Sequence, residues 1–231
     1  MLILAVESSA KPVSVAVLEI CEDTEPKLLG QYFQNNGFSH SRTLLVLVES
    51  LLENLEIKLA DIGLIAVSNG PGSFTGVRIG VSAVKGLAWG LDIPVCGVSS
   101  LEAMAYQITS PDVIICAVMD ARRNQVYNAL FERRDGSVHR LCADRAISVD
   151  ELAAELGTYD KPCIFIGDGT DVCVNSGLIS SFDVMPELCR FQTAYGVAAA
   201  SLKTEKTSAV DLEPVYLRPS QAEREAVVNN I

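Results

Sequence analysis

Three short apolar runs open the chain, at residues 2–6, 13–20 and 28–33, and each has the length of a strand. The first two are joined by the polar stretch Glu7-Ser8-Ser9-Ala10-Lys11-Pro12. From His40 the rhythm changes. Leu44, Leu45, Leu47, Val48, Leu51, Leu52 and Leu55 recur at helical spacing and cover a broad face, so a helix is expected over 41–55. Ser39 or Ser41 is its natural N-cap, and His40 reads as a helix-entry residue, not a catalytic base. Strands follow at 61–67 and 93–98, and Ser99-Ser100 caps a helix that runs to about Gln107. Three early strands followed by alternating helix and strand predict an α/β layer on a mixed sheet.

Between the fourth and fifth strands lies the stretch on which the rest is organised, Ser68-Asn69-Gly70-Pro71-Gly72-Ser73-Phe74-Thr75-Gly76-Val77-Arg78-Ile79-Gly80. Gly70, Pro71 and Gly72 form a turn, because glycine tolerates positive φ and proline cannot continue a strand. Ser73 or Thr75 then caps a helix that runs to about Trp89. A phosphate cradle is the obvious alternative, but a P-loop needs Gly-Lys-Ser/Thr where Gly76-Val77-Arg78 stands. A dinucleotide fingerprint needs a third glycine at Thr75. The stretch is therefore read as a tight corner. On the helix, Arg78, Ser82, Lys85 and Trp89 share one stripe, flanked by an apolar face (Val77, Val81, Val84, Ala88) and a small-residue face (Gly76, Gly80, Ala83, Leu87). That arc is wide enough to pack on two sides, its own sheet and either another helix or a partner.

Thr109-Ser110-Pro111-Asp112 breaks the pattern and divides the chain into 1–108 and 109–231. Two strands then flank a short polar turn, at 113–119 and 126–131. Sliding the chain by 113 positions sets Glu7 on Asp120, Val13 on Val126 and Ala16 on Ala129, which suggests two similar halves. A helix near 149–156, a strand at 163–166, a turn at Gly167-Asp168-Gly169 and a helix over 191–202 follow. An extended segment, 213–218, precedes a polar tail.

Composition narrows the function. With 231 residues and 49% hydrophobic content, the chain can bury a large core. A formal net charge of -11 argues against a primary nucleic-acid binder. No apolar run approaches the roughly 18 residues needed to span a bilayer, and no basic leader opens the chain, so no membrane attachment is expected. Seven cysteines, odd in number and without Cys-x-x-Cys, together with only His40 and His139, point to reduced thiols in a cytoplasmic protein and not to zinc.

Two halves that each open with a hairpin resemble the actin/sugar kinase/Hsp70 (ASKHA) superfamily. Within it, the 70–80 stretch is similar to the signature of the TsaB (YeaZ) family, as are Asp120-Ala121-Arg122 followed by Val126-Tyr127, and Pro214-Val215-Tyr216-Leu217-Arg218. The resemblance implies a ribonuclease H-like, actin-like duplicated fold of two subdomains, each a mixed sheet flanked by helices. It also implies a part in making tRNA threonylcarbamoyladenosine beside the anticodon. In that family the protein pairs with a catalytic homologue, TsaD, and with a small ATPase, TsaE. It does not itself perform the transfer. The implied partners are thus a TsaD-like subunit, a TsaE-like ATPase, and a second copy when alone, with tRNA reached only through the complex.

The residues agree with a non-catalytic role. TsaD-type proteins carry a His-x-x-x-His metal pair on the helix after the fifth strand, where this chain has Ser100 and Met104, neither of them a substitute for imidazole. The turn from Glu7 to Pro12 has no glycine, and the second turn has Asp120-Ala121-Arg122 in place of a glycine pair. No cofactor is expected, except nucleotide at an interface shared with partners. Two other readings stay open. One is an active ATPase or phosphotransferase with Glu7 and Asp120 holding Mg²⁺ in a cleft. The other is a peptidase-like hydrolase using Ser8, Ser9 or Ser73, although no Gly-x-Ser-x-Gly elbow is present. Asp120 and Arg122 form either a local ion pair or a partner contact. The expected partner surface is a two-helix apolar ridge made of Leu44, Val48 and Leu51 on the first helix with Phe74, Arg78, Ser82, Lys85 and Trp89 on the second.

Overall fold

The computed structural model describes residues 1–22, 24–37, 39–179 and 182–218. Two mixed sheets carry the fold. The first is built from β1 (Leu2–Glu7), β2 (Val13–Glu19), β3 (Lys27–Gln34), β4 (Ile62–Gly70) and β5 (Val95–Ser99), in the order β3-β2-β1-β4-β5. The β1–β2–β3 meander is antiparallel, whereas β4 and β5 run parallel to β1. The parallel strands arrive by helical crossovers, α1 (His40–Asn54) before β4 and α2 (Phe74–Trp89) before β5. A short helix, α3 (Ser100–Ala105), leads towards the second sheet.

That sheet repeats the hairpin opening with β6 (Val113–Asp120) and β7 (Gln125–Arg134). It continues through β8 (Ser137–Arg140), β9 (Arg145–Ser148), α4 (Val149–Leu156), β10 (Cys163–Ile166), α5 (Thr170–Ser176), β11 (Asp183–Val184) and α6 (Ala194–Ser201). Its strand order is β11-β10-β6-β7-β8, with β9 also paired to β7.

The central strands read as continuous apolar runs because both faces of each sheet are covered. Along β1, Leu4 and Val6 point towards α1 and α2, while Ile3 and Ala5 meet Val197 and Ala198 of α6. Along β6, Ile115 and Ala117 join Leu101 and Met104 of α3, while Cys116 and Val118 face Leu152 of α4 and Cys173 of α5. The expected break at Thr109 falls between the two sheets. Nevertheless α6, far beyond it, packs on β1 and β2 of the first sheet, and Thr207 pairs with Val95 at its edge.

Four labelled elements were absent from the sequence pattern, among them the two-residue β11. β8 and β9 are only half-buried and lack apolar alternation, and α5 is a single polar helix of 7 residues. The tail beyond the expected 213–218 segment lies outside the described residues. All seven cysteines are free thiols. Burial pushes the Cys96 thiol up to about 11 and the Cys173 thiol to about 12, so both are inert at neutral pH. Among the described residues, no helix is long and apolar enough to cross a membrane.

Candidate functional site

The ends of β1, β4, β6 and β10 converge on a cleft between the sheets. The turn after β1 is stitched to the start of α2. Ser9 O accepts from Ser73 N at 2.6 Å, Ser8 Oγ donates to Gly76 O at 2.9 Å, and Ser73 Oγ caps the helix by accepting from Gly76 N. This close approach explains the glycines. A Cβ on Gly76 would lie 2.1 Å from Ser8 O, and one on Gly80 would lie 2.3 Å from Ser8 Oγ. The small-residue face of α2 therefore serves its own chain. His40 completes the corner through a 2.8 Å contact between its Nε2 and Ala10 O.

The cleft has a volume of about 560 Å³, and Lys11, Ser73, Asp120, Arg122, Asp168 and Arg218 are among the residues lining it. Glu7 is not. It is fully buried beneath the turn, where Oε1 accepts from Ser9 N at 2.5 Å and Oε2 has no partner. Burial pushes its carboxyl above the usual carboxylate range, outweighing the opposing influence of the neighbouring Ser9 and Ser68. Asp168 lies in the cleft wall at the end of β10, and burial raises its carboxyl too, with Asp120 adding negative charge nearby. The turn at Gly167-Asp168-Gly169 thus places a carboxyl in the cleft, a role its sequence did not signal.

Glu7→Gln tests the electrostatics. A raised folded-state pKa favours the neutral form, so the folded protein is destabilised once pH exceeds the value in the unfolded chain, about 4.5. Glutamine keeps the acceptor for Ser9 N and adds donors for the partnerless Ser9 and Ser68 hydroxyls. The variant should melt higher than wild type at pH 8, by roughly 1–3 kcal/mol, and the gain should vanish below about pH 4. A pH-independent difference would mean that folding leaves the Glu7 pKa unshifted.

Asp120 and Arg122 do not make a side-chain ion pair. Asp120 Oδ1 instead accepts from Arg122 N at 2.7 Å, holding the β6–β7 turn.

The expected partner ridge requires correction. Leu44, Val48 and Leu51 are buried in the core, 1%, 3% and 2% exposed, because they form the half of α1 that meets the sheet. The half turned to solvent carries Leu45 and Val46, which are 51% and 57% exposed. On α2, Ser82 is exposed and Trp89 is 68% exposed. Phe74, Arg78 and Lys85 are instead engaged by the segment after α6, which crosses α2 as a strap. Lys85 Nζ donates to Val210 O and Leu212 O at 3.0 and 2.9 Å. Tyr216 stacks on Phe74 with centroids 4.7 Å apart, and its hydroxyl accepts from Arg78 Nε at 2.8 Å. Val215 N donates to Asn69 O, and Arg218 reaches the second subdomain through Ala121 O and Gln125 Oε1.

Ser100 and Met104 are both fully buried, with Met104 in the core beneath the second sheet. Ser8 and Ser9 are buried as well, and Ser73 is committed to its cap. No group of three or more His, Cys, Asp or Glu residues is arranged to hold a metal among the described residues.

Residues 36–225 match the family model described as TsaD: tRNA N6-adenosine threonylcarbamoyltransferase. The tRNA threonylcarbamoyladenosine biosynthesis protein TsaB of Bacillus subtilis (strain 168) is 37% identical over 172 residues, spanning 74% of this chain and 73% of that one. The TsaB protein of Escherichia coli (strain K12) is 30% identical, spanning 96% of each chain. Among solved structures, YeaZ from Pseudomonas aeruginosa superposes with a TM-score of 0.78 at 25% identity, spanning 94% of this chain and 99% of that one. The two-sheet architecture is accordingly the duplicated actin-like, ribonuclease H-like fold.

Proposed function

Because the chain belongs to the TsaB family, within the wider TsaD-type threonylcarbamoyltransferase group, we propose that it is a non-catalytic subunit in tRNA threonylcarbamoyladenosine biosynthesis. It acts in the cytoplasm by pairing with a TsaD-like catalytic homologue and a TsaE-like ATPase, through the outer faces of α1 and α2. Alone, it uses the same faces to make a homodimer. Leu45 and Val46 with Ser82 and Trp89 are the contact residues in place of the buried set.

One observation carries the non-catalytic reading. Glu7 is sealed in the protein interior and takes no part in lining the cleft. A magnesium-dependent phosphotransfer site would need that carboxylate ionised and within reach of the metal's water shell. Its environment favours the neutral acid. The turn around it supplies little else for phosphate, since it lacks glycine and its proline has no N–H to donate. At the metal positions of the catalytic homologues stand Ser100 and Met104, both in the core. The hydrolase reading fares no better, because Ser8 and Ser9 are buried and, among the described residues, no histidine is hydrogen-bonded to Ser73, His40 being held by Ala10 O.

Calorimetry with ATP and Mg²⁺ tests the reading. The isolated chain should show no binding tighter than roughly millimolar, under about 5 kcal/mol of association free energy. A micromolar site lost in Asp120→Ala or Asp168→Asn would favour the ATPase reading instead.

A further inference from the structure

The turn between β6 and β7 places three consecutive residues in the left-handed region, Arg122 at φ 67°, Arg123 at φ 56° and Asn124 at φ 56°. Such a run suits glycine, asparagine or aspartate, and a long side chain is strained there. The turn closes without either arginine side chain. Ala121 N donates to Gln125 O at 3.0 Å, Gln125 N donates to Arg122 O at 3.3 Å, and Asp120 takes the Arg122 N–H. Arg218 supports it from behind through Ala121 O and Gln125 Oε1. Nothing in the local fold therefore accounts for two arginines at this tip.

Both residues are exposed, and neither side chain has a hydrogen bond, ion pair or ring contact among the described residues. Three other arginines of the same subdomain are committed, Arg140 to Glu102 and Asp144, Arg145 to Glu155, and Arg190 to Asp171, although Arg133 is not. Arg122 shares the mouth of the cleft with Lys11, another cation without a partner among the described residues. Of the carboxylates around the turn, Asp120 is engaged as above and Glu151 with Ser148 at the start of α4, while Asp150 is exposed beside them and Asp168 lines the same cleft. The result is a small cationic tip on a chain of net charge -11.

We propose that Arg122 and Arg123, with Lys11 across the cleft mouth, contact the phosphodiester backbone of an RNA substrate presented by the assembled complex. This rests on the function proposed above. Adjacent planar guanidinium forks match phosphate oxygens and are held forward by a rigid turn, and a backbone contact of this kind needs no base readout. The tip is too small to hold RNA alone at physiological salt, so it acts as an accessory to a more basic partner.

The test is the double variant Arg122→Gly/Arg123→Gly, which removes both charges and relieves the strained backbone. Its melting temperature should equal or exceed that of wild type, and its pairing with the TsaD-like partner should be unchanged. The affinity of the paired complex for tRNA should fall about tenfold, with the slope of log K against log salt reduced by about 1.4–1.8, as two lost phosphate contacts require. Restoring charge with Arg122→Lys/Arg123→Lys should recover most of that slope. The same titration on the chain alone, at low ionic strength, should show weak salt-sensitive tRNA binding that the glycine variant loses. If the partner does not pair, the proposed function fails while this arm still decides the inference. Equal affinity and slope for wild type and the glycine variant would overturn it. So would competition by ATP or inorganic phosphate at micromolar concentration, which would make the tip a small-anion site, or recovery of an acidic protein instead of RNA as the ligand whose binding the variant loses.

Discussion

Gly76→Ala should cost about 3 kcal/mol or more, lowering the melting temperature by roughly 10 °C in a chain of this size. The added methyl would stand 2.1 Å from Ser8 O, a backbone atom that cannot rotate away. Relief requires α2 to lift off the β1–β2 turn, breaking the Ser8 Oγ to Gly76 O bond and the Ser73 N to Ser9 O bond together. The same movement would loosen the packing of Val77 and Val81 in the core. Gly86→Ala is the control, because a Cβ there meets nothing within 4 Å. That change should stabilise the helix by about 0.5–1 kcal/mol. Thermal melting of the two variants should therefore move in opposite directions. A Gly76→Ala protein melting with wild type would mean that the corner is not as tight as described.

The second large effect separates two valines on α1. Val48→Glu places a carboxylate among Leu44, Leu51 and Leu52, at a position 3% exposed. Its buried neighbours are apolar, so the cost should be several kcal/mol and the chain should fail to fold or accumulate as aggregate. Val46→Glu, at a position 57% exposed, should fold and melt within about 0.5 kcal/mol of wild type. Circular dichroism and size-exclusion chromatography distinguish these outcomes directly.

This pair also marks where the sequence stopped being informative. Helix α1 is apolar around a wide arc, so periodicity reveals a helix but not which half of the arc meets the sheet. Leu44 and Val48 face in, while Leu45 and Val46 face out, and the four are chemically alike. Strands β1, β2, β4 and β6 were legible because both faces are buried, leaving unbroken apolar runs of strand length. α4 and β10 were equally plain, with a capping box at Ser148–Glu151 and a four-residue apolar run. The repeat that set Glu7 on Asp120 correctly marked two strand ends, yet one carboxylate is buried and the other exposed. The β1–β2 turn seals Glu7 against α2, and no local pattern records that packing. The strap was invisible for a similar reason. Tyr216 and Phe74, or Lys85 and the carbonyls of Val210 and Leu212, are brought together only by the completed fold, so the stripe of Arg78 and Lys85 looked free when it was occupied.

The proposed pairing with a TsaD-like homologue uses the outer faces of α1 and α2. Val46→Glu and Ser82→Arg each place charge on that exposed surface without entering the core. Affinity for the TsaD-like partner, measured by calorimetry or quantitative pull-down beside thermal melting, is the most direct test. The expected result is normal melting for both variants and association weakened about a hundredfold or more, close to 3 kcal/mol. Normal melting with wild-type affinity in both variants would rule these faces out as the interface.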